Sequence, residues 1–368
     1  MRLQLTARRA ATFGQDFLAA RINRRLNVTP LVADAGGAFT LGALSQGPHL
    51  IISHNPEDEG EAHLLAGLPP NVRAVVHRHV QWSYLDRRQQ ENVRTSMARA
   101  SLCIVPAAFL AAESHGLFPE TPCEVVHIGR DPAMYRPADD AERAAFRARL
   151  GIAEDRYLIL HVGRLEAAKG LQILCDLAAR LPESAALLIQ FTASADETAR
   201  RGGFWPQALE IQRARPGRVF PWPDTDPQSD RPVRHADLLL SASLKEVAPM
   251  VAVEALMSGA PVAATESTPF YAELHALGVA SEDLTVAPLP FAERLAGRTR
   301  SELTLTDAET DTAARLLANA IEDKISQHHL VSKERRDARS NQMTRLGFTE
   351  DRMVSRLDAL YNSVVENT

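Results

Sequence analysis

Two glutamates lie eight residues apart in the stretch SASLKEVAPMVAVEALMSGAPVAAT, residues 241–265. Pro249 suits the first position of a helix and Gly259 suits a C-terminal cap, so the sequence predicts a helix that begins at about Pro249 and ends just before Gly259. Glu246 precedes this helix and Glu254 lies inside it. Because a helix N-terminus offers unpaired N–H groups and a partial positive charge, it can hold a phosphate while nearby carboxylates accept hydrogen bonds from hydroxyl groups. Sugars and riboses carry such hydroxyls. The alternative to a ligand-binding role is that both glutamates are ordinary solvated acids.

Two cations flank a predicted strand-to-helix loop in LILHVGRLEAAKGLQIL, residues 158–174. The strand is followed by Gly163, Arg164 and Lys169, and a helix begins at Gly170. At the carboxyl end of a parallel strand, the planar fork of Arg and the mobile charge of Lys together suit a diphosphate. The patterns GxxxxGK[ST] and GxGxxG are both absent, which disfavours a nucleoside triphosphatase and a dinucleotide-binding enzyme. The alternative is that both cations are ordinary solvated loop charges.

Two further groups could bind ligands. His77 and His79 lie on one face of the predicted strand VVHRHV, where they could hydrogen-bond locally or form an HxH metal site, although no third ligand is evident in the sequence. The aspartates of the DTD sequence, Asp224 and Asp226, resemble a divalent-metal pair, but they lie in a proline-rich segment away from the other motifs. We interpret them as a loop feature.

The elements that must position these residues follow an alternating pattern. Short apolar runs alternate with amphipathic segments, which is typical of an α/β protein with parallel sheets. The predicted strands cover residues 50–53, 72–77, 102–105, 123–127, 157–162, 186–190, 238–240 and 261–264, and the predicted helices cover residues 87–99, 140–150, 171–181 and 249–257. The fold class is therefore α/β.

The chain of 368 residues is long enough for two cores. A proline-containing, charged segment interrupts the strand pattern before residue 157, so we predict an N-terminal domain over 1–138, a C-terminal ligand-binding domain over 139–345 and a terminal docking helix within 346–368. Residues 201–234 are rich in Pro, Gly, Arg and Asp and are predicted to form a long irregular excursion.

Composition excludes several classes of protein. Apolar residues make up 45% and charged residues 24% of the chain, as in soluble globular proteins, and the net charge of -5 argues against a nucleic-acid-binding surface. Three widely spaced cysteines indicate neither a disulfide framework nor a cysteine zinc site. No apolar run is long enough to span a membrane, and the first residues lack the pattern of a signal peptide. We therefore expect a cytoplasmic protein.

Charge is concentrated in the first thirty residues, which carry +5 while the remainder carries -10. If residues 10–26 are helical, Leu18, Ile22 and Leu26 share a side and Arg21, Arg24 and Arg25 group beside them. This pattern is compatible with peripheral contact with an anionic membrane or an acidic partner. The alternative is a first-domain helix with a solvated basic face.

The two ligand-binding stretches together resemble a known family. HVGRLEAAKG, followed by HADLLLSASLKEVAPMVAVEALMSGAPVAAT, is similar to the nucleotide-sugar domain of retaining glycosyltransferases of the GT-B fold, family 4. Weaker similarity extends to VVHIGRDPAMYRP, where Gly129 and Asp131 match a linker signature. The resemblance implies two Rossmann-like domains facing each other across a cleft, with the donor held mainly by the C-terminal domain.

The resemblance also implies residue roles. Arg164 and Lys169 would bind the donor diphosphate, Glu246 the hydroxyls of the transferred sugar, Glu254 the nucleoside ribose, and His79 would face the donor sugar. The donor would be a nucleotide sugar of the UDP or GDP type and the acceptor is unknown. No cofactor and no metal are expected, because cations and helix dipoles stabilise the leaving diphosphate in this fold. The remaining donor-binding residues would be Gly163, Ala248, Pro249, Met250 and Val251.

The sequence departs from the family at two places. Gly14 is the only glycine where a glycine-rich loop commonly follows the first strand, and STPFYAEL places Thr268, Pro269 and Phe270 where glycines commonly precede the acid at Glu273. Three hypotheses follow. The first is a retaining, metal-independent sugar transfer; the second is a weakly active or inactive subunit that binds a partner enzyme or a sugar nucleotide; the third is an epimerase or hydrolase on the same fold.

Overall fold

The computed structural model describes residues 2–6, 23–32, 49–164, 167–191, 212–213, 215–223, 231–299, 302–327 and 331–366. The chain divides into two compact units. Unit 1 comprises Met1–Gly129 and Glu350–Thr368, and unit 2 comprises Arg130–Thr349. Within the described residues, each unit is built on its own six-stranded sheet, in which the paired strands are parallel.

The sheet of unit 1 has the strand order β2-β1-β3-β4-β5-β6. Its strands are β1 Arg2–Thr6, β2 Val28–Val32, β3 His49–Ser53, β4 Val72–His77, β5 Leu102–Val105 and β6 Cys123–Val125. The helices of this unit are α1 Glu59–Ala66, α2 Arg87–Met97, α3 Ala108–Leu117 and the terminal α11 Glu350–Glu366. Because Met353, Leu357 and Leu360 recur at helical spacing, α11 buries one apolar stripe in the same core as Leu50 and Ile52 of β3.

The sheet of unit 2 has the strand order β12-β11-β10-β7-β8-β9. Its strands are β7 Tyr157–Val162, β8 Ala185–Phe191, β9 Val219–Pro223, β10 Leu238–Ser241, β11 Val262–Thr265 and β12 Leu284–Ala287. Counted from β7, this is the doubly wound order 3-2-1-4-5-6, which reverses direction between β7 and β10. Ligands of such sheets bind outside the carboxyl ends of the strands at the point of reversal, so a ligand site is expected at the loops after β7 and β10.

Helices cover the sheet of unit 2 and bury its central strands. They are α4 Asp140–Leu150, α5 Leu171–Arg180, α6 Met250–Met257, α7 Phe270–Ala276, α8 Ala292–Ala296, α9 Asp307–Ser326 and α10 Lys333–Leu346. The apolar stripe of α5, which includes Ile173, Leu174 and Leu177, packs in one core with Leu187 and Ile189 of β8. Strands that are covered on both faces are expected to be almost continuously apolar, and β8 is buried throughout, with Gln190 as its one polar residue.

The structure confirms the predicted α/β class with two parallel-sheet, Rossmann-like units. The irregular excursion predicted for residues 201–234 is wrong in part, because it contains β9, the edge strand of the second sheet. Pro221 and Pro223 interrupt the apolar pattern by which this strand could have been predicted. Prolines are tolerated at this position because an edge strand leaves one row of N–H positions unpaired.

The division into units differs from the predicted boundaries at 138 and 345. Residues 130–138 lie in unit 2, where Tyr135 O accepts a hydrogen bond from Ser258 Oγ at 3.2 Å and Ala138 N donates to Arg234 O at 3.4 Å. Unit 1 resumes at Glu350, the first residue of α11.

Most of the basic N-terminal arm, including Gly14, Leu18, Arg21 and Ile22, lies outside the described residues. Arg24 and Arg25 of the arm lie within the described residues, and Arg25 forms ion pairs with Glu350 at 3.0 Å and Asp351 at 2.7 Å in the first turn of α11. Among the described helices, none is both long and apolar enough to cross a membrane.

Candidate functional site

The predicted donor-binding residues of unit 2 gather where the direction of its sheet reverses. Gly163 directly follows β7, and its N–H donates to Gln190 O of β8 at 3.1 Å. Gly170, at φ +71°, brings the start of α5 against the segment after β10, because a Cβ atom at this position would overlap the carbonyl group of Ala242. Glycine is needed here because it has no Cβ, so it adopts the left-handed backbone conformation readily and lets Ala242 approach closely.

An ion pair joins the two loops at this point. Lys169 Nζ, before α5, contacts Glu246 Oε1, in the loop after β10. Ser243 Oγ donates to the same carboxylate oxygen at 2.8 Å, and Glu246 N donates to Ser267 O at 2.9 Å. The exposed fractions of the Lys169 and Glu246 side chains are 18% and 14%, so the pair is shielded from water but still reachable by a ligand. Two residues that the sequence assigned to diphosphate and sugar thus lie in direct contact.

Arg164 also belongs to the loop after β7 and is half-buried. It follows Gly163 immediately, at the carboxyl end of the strand, as the sequence predicted. Residues 165 and 166 of the same loop lie outside the described part of the chain.

The predicted helix after Glu246 is present as α6. It begins at Met250 with Pro249 as its N-cap residue, and no side chain caps this end. Because the first N–H groups of a helix have no intrahelical partner, those of Met250 and Val251 are donors that can serve an anion. Gly259 follows the C-cap residue Ser258 at φ +81°, which is the left-handed conformation expected after a helix end. Ala248 lies just before the helix, as predicted.

Glu254, on α6, is held by a residue that the sequence analysis missed. Arg130 Nε donates to Glu254 Oε1 at 2.6 Å, and the exposed fractions of the two side chains are 13% and 17%. Burial, together with the Glu254 carboxylate, raises the pKa of the Tyr135 hydroxyl beside this pair. Arg130 lies between Gly129 and Asp131 of the linker signature, so its place in that motif was the signal that could have identified it.

His161 is a second residue that sequence reasoning missed. It lies in β7, is buried, and has its Nδ1 3.1 Å from Leu240 O of β10, so it joins the two strands beneath the site. Desolvation lowers the pKa of His161 to about 4. A Cβ atom on Gly163 would lie 3.3 Å from His161 Nε2, which places the imidazole close beneath the loop.

The places where the sequence departs from the family fall partly within the described chain. Thr268 Oγ1 donates to Val247 O at 2.5 Å and accepts from Phe270 N at 3.1 Å, and Pro269 is the N-cap residue of α7. The segment STPF therefore closes the loop that carries Glu246 where glycines were expected. Glu273 lies half-buried in the first turn of α7. Asp224 and Asp226 lie outside the described residues.

His79 is a residue of unit 1, two positions beyond the end of β4. Its Nε2 lies 3.3 Å from Nδ1 of His54, which follows β3. His77, the last residue of β4, is buried and shares a hydrogen bond of 2.8 Å between its Nε2 and Tyr361 Oη of α11. The sequence analysis named His77 and His79 but missed His54, because 25 residues separate it from His79 and only the pairing of β3 with β4 brings them together.

Solved structures of known proteins share this architecture. Sucrose-phosphate synthase from Thermosynechococcus elongatus matches with a TM-score of 0.72 and 16% identity over 100% of this chain and 99% of that chain. HepE from Anabaena, solved in complex with UDP, matches with a TM-score of 0.65 and 17% identity over 99% and 100% of the two chains. The chain has a GT-B fold.

Sequence similarity to a curated protein covers a smaller part of the chain. The D-inositol 3-phosphate glycosyltransferase of Segniliparus rotundus is 33% identical over 150 residues, which is 39% of this chain and 31% of that protein. The chain thus covers about a third of the length of this relative. No protein-family model matches the chain.

Proposed function

We propose that the chain is a retaining glycosyltransferase of family 4, which transfers a sugar from a UDP or GDP sugar to an acceptor hydroxyl without a metal ion. The observation that carries this proposal is the contact of Lys169 with Glu246 at the carboxyl ends of β7 and β10, where a doubly wound sheet binds its ligand. The similarity to a named glycosyltransferase and the UDP complex of HepE support the same class of reaction.

The cations and the start of α6 would receive the diphosphate. Lys169 and Arg164 supply positive charge from the loop after β7, and the N–H groups of Met250 and Val251 supply donors from the other side of the point of reversal. Since Lys169 is largely shielded from water, its attraction for phosphate oxygens is stronger than that of an exposed lysine. Charge that develops on the leaving diphosphate is therefore stabilised by groups already in position.

The two glutamates would recognise hydroxyl groups. Glu246 orients Lys169 and accepts from Ser243, and a carboxylate has capacity for further hydrogen bonds from sugar hydroxyls. Glu254 would accept from the ribose, with its carboxylate oriented by Arg130. Glu246, which lies before α6, would thus bind the sugar end of the donor, and Glu254, which lies within α6, would bind the ribose end.

In the proposed reaction, the bond between the anomeric carbon and the diphosphate oxygen breaks while the acceptor oxygen forms the new bond on the same face of the sugar. The acceptor proton passes to the leaving diphosphate, so no protein nucleophile is needed. Lys169 and Arg164 act by stabilising the diphosphate as it leaves. The sugar-facing role of His79 stays a prediction of the family resemblance.

Thermal denaturation with UDP, GDP, ADP, CDP and dTDP, without added metal, tests nucleotide binding. A ligand present at 100 times its Kd adds about 2.7 kcal/mol to the free energy of unfolding, so the matching nucleotide should raise Tm selectively. Glu254→Ala should abolish the shift. Glu293→Ala, which removes an exposed acid of α8, should preserve it and serves as the matched control.

The sugar conjugate of the selected nucleotide then tests transfer, with release of the nucleoside diphosphate and the anomeric configuration of the product as readouts. Retention of configuration in the presence of a chelator is the expected result. The absence of a shift with every nucleotide would reject the donor site and favour the alternative of a glycosyltransferase-like subunit that binds a partner enzyme.

A further inference from the structure

Three histidines converge at the carboxyl ends of two neighbouring strands of unit 1. His54 follows β3 directly, His77 ends β4, and His79 lies two residues further on. Since Ser53 is opposite Val76 in the parallel pairing, His54 continues the register toward His77, and their ring centroids are 4.2 Å apart. The centroid of the His79 ring is 5.6 Å from that of His54 and 5.9 Å from that of His77.

The spacing of the ring nitrogens fits one small metal ion. Each histidine offers a nitrogen within 4.8 Å of those offered by the other two, and His54 Nδ1 is 3.3 Å from His79 Nε2. Two nitrogens that bind one zinc ion at about 2.0–2.1 Å and at a tetrahedral angle are separated by roughly 3.3–3.4 Å. The observed separation matches one edge of such a tetrahedron.

The three rings differ in their exposure to solvent. His77 is buried, and His54 and His79 are half-buried. The two half-buried rings leave a path by which an ion can reach the nitrogens, as a metal site requires.

An outer partner fixes one of the rings. Tyr361 Oη lies 2.8 Å from His77 Nε2, and Tyr361 is itself almost fully buried on α11. Metal-binding histidines commonly have one ring nitrogen held by such a partner, which sets the orientation of the ring. The His77–Tyr361 contact supplies this support from a distant part of the chain.

We propose that His54, His77 and His79 bind a zinc ion in unit 1, with the fourth coordination position taken by water or another small ligand. This site goes beyond the proposed sugar transfer, whose leaving diphosphate is stabilised by Lys169 and Arg164 of unit 2. Ligation to zinc would replace the sugar-facing role predicted for His79. His54 is the third ligand, which could not be identified from the HxH motif in the sequence.

Metal titration of the untagged 368-residue chain tests the proposal in the absence of any nucleotide sugar. After removal of bound metal with EDTA and exchange into chelator-free buffer, Co²⁺ is added while the visible absorption of the ion is followed, and Zn²⁺ is then used to displace it. One equivalent per chain with a Kd for Zn²⁺ below about 1 μM is the expected result. An absence of saturable binding up to about 100 μM would overturn the proposal.

Variants locate the ion among the twelve histidines of the chain. His54→Asn and His79→Asn should each weaken zinc binding by at least about 100-fold, since removal of a direct ligand costs more than loss of an outer partner. His63→Asn, which changes an exposed histidine of α1, should bind as the wild type does. Unchanged affinity in His79→Asn would contradict the assignment.

A further variant distinguishes loss of the site from loss of the fold. His79→Cys replaces one ligand with another, so it should still bind one Co²⁺ and should gain a thiolate-to-cobalt charge-transfer band in the near ultraviolet. Circular dichroism confirms that each variant is folded. A folded His79→Cys protein that lacks this band would show that the residue does not contact the metal. All of these readouts are independent of glycosyl transfer, so failure of one proposal leaves the other unaffected.

Discussion

Arg130 and Glu254 form an ion pair of 2.6 Å although 124 residues separate them in the sequence. Both side chains are largely buried, and the pair connects the first residue of unit 2 to the helix that follows Glu246. A carboxylate that is held in this way presents its oxygens in a fixed direction, which is what recognition of a ribose requires. The contact thus gives the linker motif a structural role in the proposed donor site.

Arg130→Ala should weaken binding of the matching nucleoside diphosphate by about tenfold, which corresponds to about 1.4 kcal/mol. The reason is that Glu254 loses the group that orients it and keeps a charge that is costly to bury. Isothermal titration calorimetry measures the effect. Lys333→Ala removes an exposed ion pair with Asp337 in the same unit and should leave the affinity unchanged. Equal affinities of Arg130→Ala and the wild type would mean that Arg130 does not position Glu254.

Lys169→Ala should lower kcat by about 100- to 1,000-fold, the usual range for loss of one group that stabilises developing negative charge. The KM for the acceptor should change little, because Lys169 is assigned to the diphosphate. Initial-rate kinetics with varied acceptor separates the two parameters. Lys333→Ala is again the control for loss of a cation. A Lys169→Ala enzyme with undiminished kcat would refute the role given to this residue.

Gly170→Ala should destabilise the protein far more than Gly151→Ala, although both glycines have nearly the same backbone conformation, φ +71° and +69°. An alanine in this region costs about 1–2 kcal/mol, and that cost applies to both sites. At Gly151 no atom lies near the added Cβ, whereas at Gly170 the Cβ would overlap the carbonyl group of Ala242. We expect a loss of more than about 4 kcal/mol at Gly170.

Urea denaturation followed by circular dichroism compares these two variants with the wild type. Similar midpoints for Gly170→Ala and Gly151→Ala would contradict the close packing of the two site loops. Because Gly170 brings the start of α5 against the segment after β10, its substitution should also separate Lys169 from Glu246. A folded Gly170→Ala protein should therefore lose the Tm shift that UDP or GDP induces in the wild type.

Local patterns in the sequence predicted most of the framework of the site. The bounds predicted for β4, β5, β7 and α4 are those observed, because each is a continuous apolar or amphipathic segment between strong start and stop signals. The strand β9 was missed because two prolines interrupt its apolar pattern, and a sheet edge tolerates them. A sequence pattern therefore fails to predict a strand when the position of the strand in the sheet decides which residues it can contain.

Juxtapositions of distant residues were predicted less completely. Lys169 and Glu246 were both identified, since each lies in a motif at the end of a predicted strand. Their direct contact depends on β7 and β10 being neighbours, which follows from the strand order and not from either motif. His54 was missed for the same reason: nothing in its own surroundings distinguishes it from a surface histidine until β3 is paired with β4.

Cys123 should react with iodoacetamide faster than Cys103. The two residues are directly opposite each other on β5 and β6, and the thiol of Cys103 donates a hydrogen bond to the sulfur of Cys123. This bond, with help from Ser114 and Arg78, lowers the pKa of Cys123 below the ordinary value of 9.0, while the same bond and burial raise the pKa of Cys103. Since the thiolate is the reactive form, Cys123 is the more reactive sulfur of the pair near pH 8.

Mass spectrometry of peptides from briefly alkylated protein gives the rate at each cysteine. The rate at Cys123 should rise with pH along a titration curve whose midpoint lies below 9.0, because the pKa of this thiol is lowered. Cys103→Ala removes the donor and should shift that profile to higher pH, so alkylation of Cys123 at pH 7 becomes slower. Faster labelling of Cys103 than of Cys123, or an unshifted profile in Cys103→Ala, would show that the hydrogen bond between the two thiols does not control their reactivity.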